Sequence, residues 1–175
     1  MSKNGLRKEA KRRILGIDRE AESAMIVESL RALPEFLSAS TILAFCPLAD
    51  EPDITPLLSD ERVLLPFIHA GRMAFSSSRR FHRSPMGFLE PEMSEADYEK
   101  ALMLVPLLGY NSKLCRLGRG GGYYDRYIRE NRDRIRTIGL AFSASFFPDF
   151  SEEEHDAALD AVLTPSGQMS ASSAY

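Results

Sequence analysis

Residues 101–128, ALMLVPLLGYNSKLCRLGRGGGYYDRYI, combine a strand, a loop and the start of a helix, and from this order the fold can be predicted. The first six residues, ALMLVP (101–106), form a continuous apolar run of the kind that buried parallel strands show. The stretch ends in a predicted helix, from Tyr123 to about Asn131. A strand that leads through a loop into a helix is the repeating unit of an α/β sheet.

Segments on both sides of this stretch supply the other predicted elements. Leu6, Ala10 and Ile14 recur every four residues, as the buried face of a helix does. Asp18 can act as the N-cap of a second helix, which Pro34 would end. The predicted helices cover residues 2–16, 19–33, 94–100 and about 123–131. The predicted strands are TILAFC (41–46), RVLLP (62–66), RMAFS (72–76), ALMLVP (101–106), RTIGLAF (136–142) and DAVLT (160–164).

The alternation of these strands and helices predicts the fold class and the extent of the domain. We expect an α/β fold, a single three-layer domain over residues 1–165 with a mostly parallel central sheet flanked by helices. The residues after this domain are small and polar, so residues 166–175 are expected to form a frayed C-terminal tail.

The overall charge and the cysteines limit the partners that the chain can have. Lys and Arg number 22 against 25 Asp and Glu, a net charge of −3, whereas nucleic-acid-binding proteins carry a basic surplus. No apolar run approaches the length of a membrane span. Cys46 and Cys115 are far apart and lack metal-ligand spacing. We therefore expect a cytoplasmic protein with neither nucleic acid nor membrane as a partner. We also expect a monomer whose partners are small-molecule substrates, which the resemblance described below implies.

Charge is unevenly distributed along the chain. Residues 1–13 hold six Lys or Arg and one acid, and residues 113–136 hold eight Lys or Arg and three acids. Beyond Arg136 there is no Lys or Arg, and six Asp or Glu follow. Two basic segments and one acidic segment can meet around an anion and its metal ion, although they can equally be solvated faces.

The segment RLGRGGGYYDR (116–126) carries the strongest functional signal. Its glycine loop, GRGGG (118–122), precedes a helix N-terminus, where unpaired N–H groups and the helix dipole favour an anion. Glycines permit positive φ and a close approach to phosphate. Asp125 beside a phosphate is costly unless a cation such as Mg²⁺ lies between them. The segment therefore predicts a site for a phosphorylated ligand and a metal ion.

Two familiar phosphate motifs do not match the glycine loop. A dinucleotide fingerprint would need Gly at position 123, which is Tyr, and a Walker A loop would end in Gly-Lys-Ser/Thr. A glycine-rich structural turn remains an alternative. The cluster of Arg116, Arg119 and Arg126 around the loop favours the anion site.

Five landmarks in order resemble the 5-formyltetrahydrofolate cyclo-ligases, also called 5,10-methenyltetrahydrofolate synthetases, over nearly the whole chain. They are KNGLR (3–7), FCPLADEPDITPLL (45–58), MAF (73–75) with GFLEP (87–91), RLGRGGGYYDR (116–126) and EEHDAALDAVLT (153–164). The resemblance implies an ATP-dependent ligase that needs Mg²⁺. It would convert 5-formyltetrahydrofolate and ATP into 5,10-methenyltetrahydrofolate, ADP and phosphate: the formyl oxygen is phosphorylated, N10 attacks the activated carbon, and phosphate departs.

The resemblance also implies the roles of individual residues. ATP would be bound by Lys3, Arg7, Arg116, Gly118, Arg119, Gly120, Gly121, Gly122, Tyr123 and Tyr124. The folate would be bound by Cys46, Glu51, Arg119, Gly120, Gly121, Gly122 and Tyr123, with the Glu51 carboxylate accepting from the pterin N–H groups. Lys3, Arg7, Arg116 and Tyr123 are the implied catalytic residues, and Asp125 and Asp156 would hold Mg²⁺.

The sequence departs from the family pattern at the entry to the glycine loop. Leu114 stands where the family usually has Gly, and YNSKLC (110–115) replaces a more usual Phe-Asp-x-x-Gly.

Alternatives to the ligase are a non-catalytic relative that binds nucleotide or folate, and an isomerase or CoA-transferase-like enzyme that would not need ATP. RNA binding through the basic segments fits poorly with the acidic overall charge.

Overall fold

The central sheet of the protein has seven strands within residues 2–85, 87–148, 150–153 and 156–171, which a computed structural model describes. The strands of this sheet are β1 (Ile42–Leu43), β2 (Val63–His69), β3 (Arg72–Ser76), β6 (Ala101–Pro106), β9 (Ile135–Leu140), β10 (Ala161–Thr164) and β11 (Gly167–Ser170). They are arranged in the order β11-β10-β9-β6-β1-β2-β3. Two small hairpins pair β4 (Phe81–Arg83) with β5 (Leu89–Pro91) and β7 (Gly109–Tyr110) with β8 (Arg116–Leu117). The five inner strands are parallel, and β3 and β11 are antiparallel at the edges.

The described residues form four α-helices: α1 (Lys3–Ile14), α2 (Arg19–Ala32), α3 (Pro34–Ser38) and α4 (Tyr123–Glu130). The Asp18 side chain accepts a hydrogen bond from the backbone N–H of Ala21 and caps α2, as predicted. Pro34 ends α2 by starting α3, since its fixed φ suits the first turn of a helix. None of the helices in this part of the chain is long and apolar enough to cross a membrane.

Both faces of the sheet are buried. Alternate residues of a strand point to opposite faces, so sequence neighbours pack in different clusters. Ile42 and Leu102 pack in one cluster with α2 and α3. Leu43 and Met103, their neighbours in sequence, pack in a second cluster with Ile128 of α4. Helices therefore cover a mostly parallel sheet on both sides, and the predicted three-layer α/β fold class is confirmed.

Two local predictions are wrong. Residues 94–100 do not form a helix, because their backbone bonds to the edge of the sheet instead: Glu95 forms a bridge with Ser76, and the Ala96 N–H donates to the Phe75 carbonyl. Gly167–Ser170, expected in a frayed tail, forms strand β11, whose backbone pairs along all of β10. Residues 172–175 of that tail lie outside the described residues.

Candidate active site

The predicted site residues converge on one cavity of about 660 Å³. The cavity lies where β1 and β6 end, and Phe45, Cys46 and Leu107 from the segments after these strands line it. All fourteen site residues named from the sequence also line it: Lys3, Arg7, Cys46, Glu51, Arg116, Gly118, Arg119, Gly120, Gly121, Gly122, Tyr123, Tyr124, Asp125 and Asp156. This is the edge of an open α/β sheet at which ligands bind.

A tight turn between β7 and β8 delivers the chain to the glycine loop. The Asn111 side-chain oxygen accepts hydrogen bonds from the backbone N–H groups of Lys113 and Cys115, both at 3.0 Å. Leu114, within this turn, has a φ of 58° and is buried. The departure from the family pattern therefore places a leucine in the left-handed region, where glycine has no steric penalty.

The glycines of the loop serve different purposes. Gly120 has a φ of 103°, which side chains other than glycine rarely adopt. Gly122 also has a positive φ, of 68°, whereas Gly118 and Gly121 do not. At Gly118 the requirement is space, because a Cβ atom there would lie 2.2 Å from Nη2 of Arg116.

The cavity lining within the described residues includes four cations, Lys3, Arg7, Arg116 and Arg119. We call these cations, together with residues 118–122, the cationic end of the cavity. Helix α1 supplies the first two. Arg7 Nε donates to the Gly118 carbonyl at 2.8 Å, which ties the helix to the loop. Arg116 is buried, and its Nε has no hydrogen-bond partner among the residues that the structure describes. An unpartnered buried guanidinium N–H is costly, and an anion in the cavity would relieve that cost.

Three of these cations are paired with carboxylates that the sequence analysis assigned to Mg²⁺ or to folate. Lys3 Nζ lies 2.7 Å from Asp156, and Arg116 Nη1 lies 3.4 Å from Asp125. Arg119 Nε donates to Glu51 at 3.0 Å. Burial alone would lower the pKa of Lys3, but its hydrogen bonds to Asp156 and Glu153 raise it. These groups therefore neutralise one another inside the cavity.

The two carboxylates assigned to a metal ion fit Mg²⁺. Asp125 Oδ1 is buried and has no hydrogen-bond partner within the described ranges. No group of three or more His, Cys, Asp or Glu side chains able to hold a metal occurs among the described residues. Mg²⁺ needs no such cage, because it is usually held by one or two carboxylates together with substrate phosphates and water. The magnesium site stays a prediction.

Glu51 is buried at the edge of the cavity and retains hydrogen-bonding capacity. Its carboxylate accepts from the backbone N–H of Leu48 and from Arg119, both at 3.0 Å. A carboxylate has about four lone-pair positions, so others remain for a ligand's N–H groups. The position is compatible with the predicted pterin contact, which stays a prediction.

Two tyrosines of α4 stack under arginines at the cavity. The Arg116 guanidinium lies 5.1 Å from the centre of the Tyr124 ring, and the Arg126 guanidinium lies 5.0 Å from that of Tyr123. Burial raises the pKa of Tyr124, so the phenol stays protonated at neutral pH. Both rings line the cavity as rigid walls next to the glycine loop.

One part of the cavity lining was not assigned a role from the sequence. It consists of Ile68, Met73, Phe88, Leu89 and Glu90, which we call the hairpin end because the β4–β5 hairpin supplies its outer part. GFLEP (87–91) was noted only as a landmark, yet three of its residues line the cavity. Burial raises the pKa of Glu90, and His82 opposes that shift. The sequence signal that could have found this wall is the single acid within the otherwise apolar segment GFLEP (87–91).

Fold and site together define a class: an α/β enzyme with a cavity at the carboxyl ends of its strands, the edge at which ligands bind in open α/β sheets. A model of the 5-formyltetrahydrofolate cyclo-ligase family matches residues 1–165. The chain belongs to this family, as predicted, and with it the expectation of a ligase enzyme is confirmed.

Individual relatives agree with this membership. A 5-formyltetrahydrofolate cyclo-ligase of Mus musculus is 25% identical, and the match covers 93% of each chain. One from Escherichia coli K12 is 28% identical over 76% of this chain and 82% of the relative. The solved structure of Aquifex aeolicus 5,10-methenyltetrahydrofolate synthetase superimposes with a TM-score of 0.81 at 24% identity, covering 100% of this chain and 95% of the other, which shows a shared fold.

Proposed function

We propose that this protein is an ATP-dependent 5-formyltetrahydrofolate cyclo-ligase that uses Mg²⁺. It would close 5-formyltetrahydrofolate to 5,10-methenyltetrahydrofolate through phosphorylation of the formyl oxygen and attack by N10, with release of ADP and phosphate. The observation that carries the proposal is the convergence of a cationic glycine loop, the partly buried carboxylates of Asp125 and Asp156 and the acid Glu51 on one cavity. A site for phosphate transfer and a site for a pterin are then adjacent.

Each group in the cavity has a task in this reaction. Lys3, Arg7 and Arg116 would hold the ATP phosphates and stabilise the charge on the transferred phosphoryl group. Asp125 and Asp156 would hold Mg²⁺, which supplies neutralisation of phosphate charge when bound. Glu51 would orient the pterin through charge-assisted hydrogen bonds. No protein nucleophile is required, so catalysis rests on positioning and electrostatics.

The ion pairs of the cavity suit such a site. A buried cation is costly without a partner, and the pairs of Lys3 with Asp156 and Arg116 with Asp125 meet that need before ligands arrive. When ATP binds, its phosphates can take over Lys3 and Arg116. Both carboxylates are then released toward the metal ion, so ATP and Mg²⁺ should bind together.

The test is an incubation of the purified protein with 5-formyltetrahydrofolate and Mg-ATP, followed by the absorbance of the conjugated methenyl product. We expect product to form, with one phosphate released per molecule, only when folate, ATP and Mg²⁺ are all present. Turnover without nucleotide, or in excess EDTA, would contradict the proposal and favour an ATP-independent enzyme. Size-exclusion chromatography of the same preparation tests the proposed monomer, and fractionation of cells tests the proposed cytoplasmic location.

A further inference from the structure

Five carboxylates line the cavity within the described residues, and one of them differs from the rest. They are Glu51, Glu90, Asp125, Glu153 and Asp156. Four of the five lie within 3.4 Å of a lysine or arginine nitrogen. For Glu90 the titratable neighbour at a comparable range is a histidine, His82, whose Nε2 lies 3.9 Å from Glu90 Oε2.

This difference matters for proton transfer. A carboxylate paired with a guanidinium or ammonium group is held in its charged form and has a low proton affinity. Such a group is a poor base at neutral pH. A buried carboxylate without such a partner binds a proton more readily, and general bases work best when their pKa lies near the operating pH.

The surroundings of Glu90 are apolar on most sides. Its side chain is 11% exposed, on β5, and it shares the cavity wall with Met73, Phe88 and Leu89. The backbone N–H of Ile68, on β2, lies close enough to the Glu90 carboxylate to oppose the rise in its pKa. The titratable groups that face it are His82 on β4 and Cys46 after β1. Burial raises the pKa of Glu90, and His82 reduces that effect.

The proposed ring closure contains a proton transfer for which no group has yet been named. N10 carries a hydrogen when it attacks the phosphorylated formyl carbon. As the bond from N10 to that carbon forms and the bond from carbon to the phosphate oxygen breaks, N10 must lose its proton. The product is a cation in which N5 and N10 share one carbon.

We propose that the Glu90 carboxylate accepts the N10 proton during ring closure, a role that rests on the function proposed above. N10 joins the pterin to the aminobenzoyl ring, and the flat, largely apolar aminobenzoyl ring requires an apolar wall, which the hairpin end supplies. With Glu51 on the pterin and the phosphates at the cationic end, Glu90 is the carboxylate on the side of the aminobenzoyl ring. His82 is half exposed and can pass the proton on to water.

The experiment compares Glu90→Gln, Glu90→Asp and the control Glu92→Gln in the full-length protein. Gln keeps the size of Glu and a carbonyl that can accept a hydrogen bond, but it cannot take a proton. We expect kcat to fall about 10²-fold or more for Glu90→Gln, with Kd for Mg-ATP and for folate unchanged. Glu92 is exposed two residues further along, and its variant should behave like the parent.

The pH profile of kcat separates a base from a structural residue. The parent should lose activity toward acid as Glu90 becomes protonated, and Glu90→Gln should lose that acidic limb. Glu90→Asp should keep the limb at an intermediate rate. If Glu90→Gln melts at a lower temperature than the parent, the rate and the pH profile of Glu90→Asp decide whether Glu90 acts as a base.

Two kinds of failure can be told apart. A parent protein that makes no methenyl product overturns the proposed function and, with it, this role of Glu90. An active parent combined with a Glu90→Gln variant of unchanged kcat, or of reduced kcat with the acidic limb intact, overturns the role of Glu90 alone. A variant that loses only folate affinity also overturns it, and makes Glu90 a binding residue.

Discussion

The cationic end and the hairpin end of the cavity balance their charged groups in opposite ways. At the cationic end, Lys3, Arg116 and Arg119 each bind a carboxylate inside the site, and the pairs of Lys3 and Arg119 join segments far apart in the chain. At the hairpin end the buried acid Glu90 lies among apolar side chains, and no lysine or arginine pairs with it in the part of the chain that the structure describes. The cationic end therefore holds several ion pairs, and the hairpin end holds few charged groups.

This difference in charge predicts which interactions change when a ligand binds at each end of the cavity. Ligand binding at the cationic end replaces existing ion pairs, so its net gain is the difference between two sets of strong interactions. Binding at the hairpin end only removes apolar surface from water, at about 25 cal/mol per Å². Changes at the cationic end should therefore have large effects on phosphate chemistry, and changes at the hairpin end small effects on folate affinity.

The largest expected effect is that of Asp125→Asn. The change removes a proposed metal ligand and the partner of the buried Arg116, and we expect turnover to fall by about 10²–10³-fold, as when a transition-state stabilising group is lost. Folate affinity should be unchanged, because Glu51 and the hairpin end are both intact. Steady-state kinetics over a Mg²⁺ titration and a folate-binding isotherm measure the two quantities.

Glu130→Gln is the control for Asp125→Asn. Glu130 lies on the same helix, where it pairs with Arg72 on the surface, and its variant should keep full turnover. A thermal melt of both variants excludes unfolding as the cause. An Asp125→Asn protein with normal turnover would remove the metal ion from this end of the cavity.

Gly118→Ala should come next in size. The new Cβ would lie 2.2 Å from Arg116 Nη2 and must displace the guanidinium. Because the displaced group is the end of a flexible side chain, the melting temperature should change little, while Kd for Mg-ATP rises about tenfold, as for a lost charged hydrogen bond. Gly16→Ala, outside the cavity, is the matched control. Equal ATP affinity in both variants would mean that Arg116 does not contact the nucleotide.

Phe88→Ala probes the hairpin end. The ring is partly exposed at the rim of the cavity, and its loss should weaken folate binding by about 1 kcal/mol, or roughly fivefold. Mg-ATP affinity should stay at the parent value. Phe81, on the same hairpin but outside the cavity lining, provides the control Phe81→Ala. Isothermal titration with each ligand tests the pair, and a loss of ATP affinity in Phe88→Ala would show that the two ends are not separate.

The smallest effect concerns the Cys46 thiol, which lines the cavity. Burial, with Glu90 nearby, raises the pKa of this thiol above its ordinary value of 9.0. Alkylation by iodoacetamide should therefore be slow at pH 7 and accelerate above pH 9. Bound folate should slow it further, and Mg-ATP alone should not. Protection by Mg-ATP alone would instead assign Cys46 to the cationic end.

The same shift has a consequence for stability. A thiol that is harder to ionise in the folded state than in the unfolded state stabilises the fold fully below pH 9. This contribution is lost as the pH rises through the folded-state pKa. Cys46→Ala should therefore flatten part of the alkaline fall in melting temperature.

The sequence predicts the fold well where a pattern is local. The apolar run 101–106 becomes β6, and Leu6, Ala10 and Ile14 form the buried face of α1. The prediction fails at 94–100, where helix propensity is overridden by backbone bonds to β3, which no local pattern reports.

The candidate site shows the same limit. Motifs predict which residues line the cavity, because the carboxyl ends of parallel strands meet at one edge. They do not predict pairing: Lys3 and Asp156 are 153 positions apart, and Arg119 and Glu51 are 68 apart. Nor do they separate Gly118, needed for space, from Gly120, needed for φ, since both are simply glycine in the sequence.

Leu114 has a consequence for how this protein can change over generations. Its left-handed backbone costs about 1–2 kcal/mol relative to glycine. Burying its side chain returns about 1.5–3 kcal/mol. Leucine and glycine at position 114 are therefore two nearly equivalent solutions, one favourable in side-chain burial and the other in backbone conformation. A lineage can drift between them while the glycine loop a few residues later keeps its chemistry.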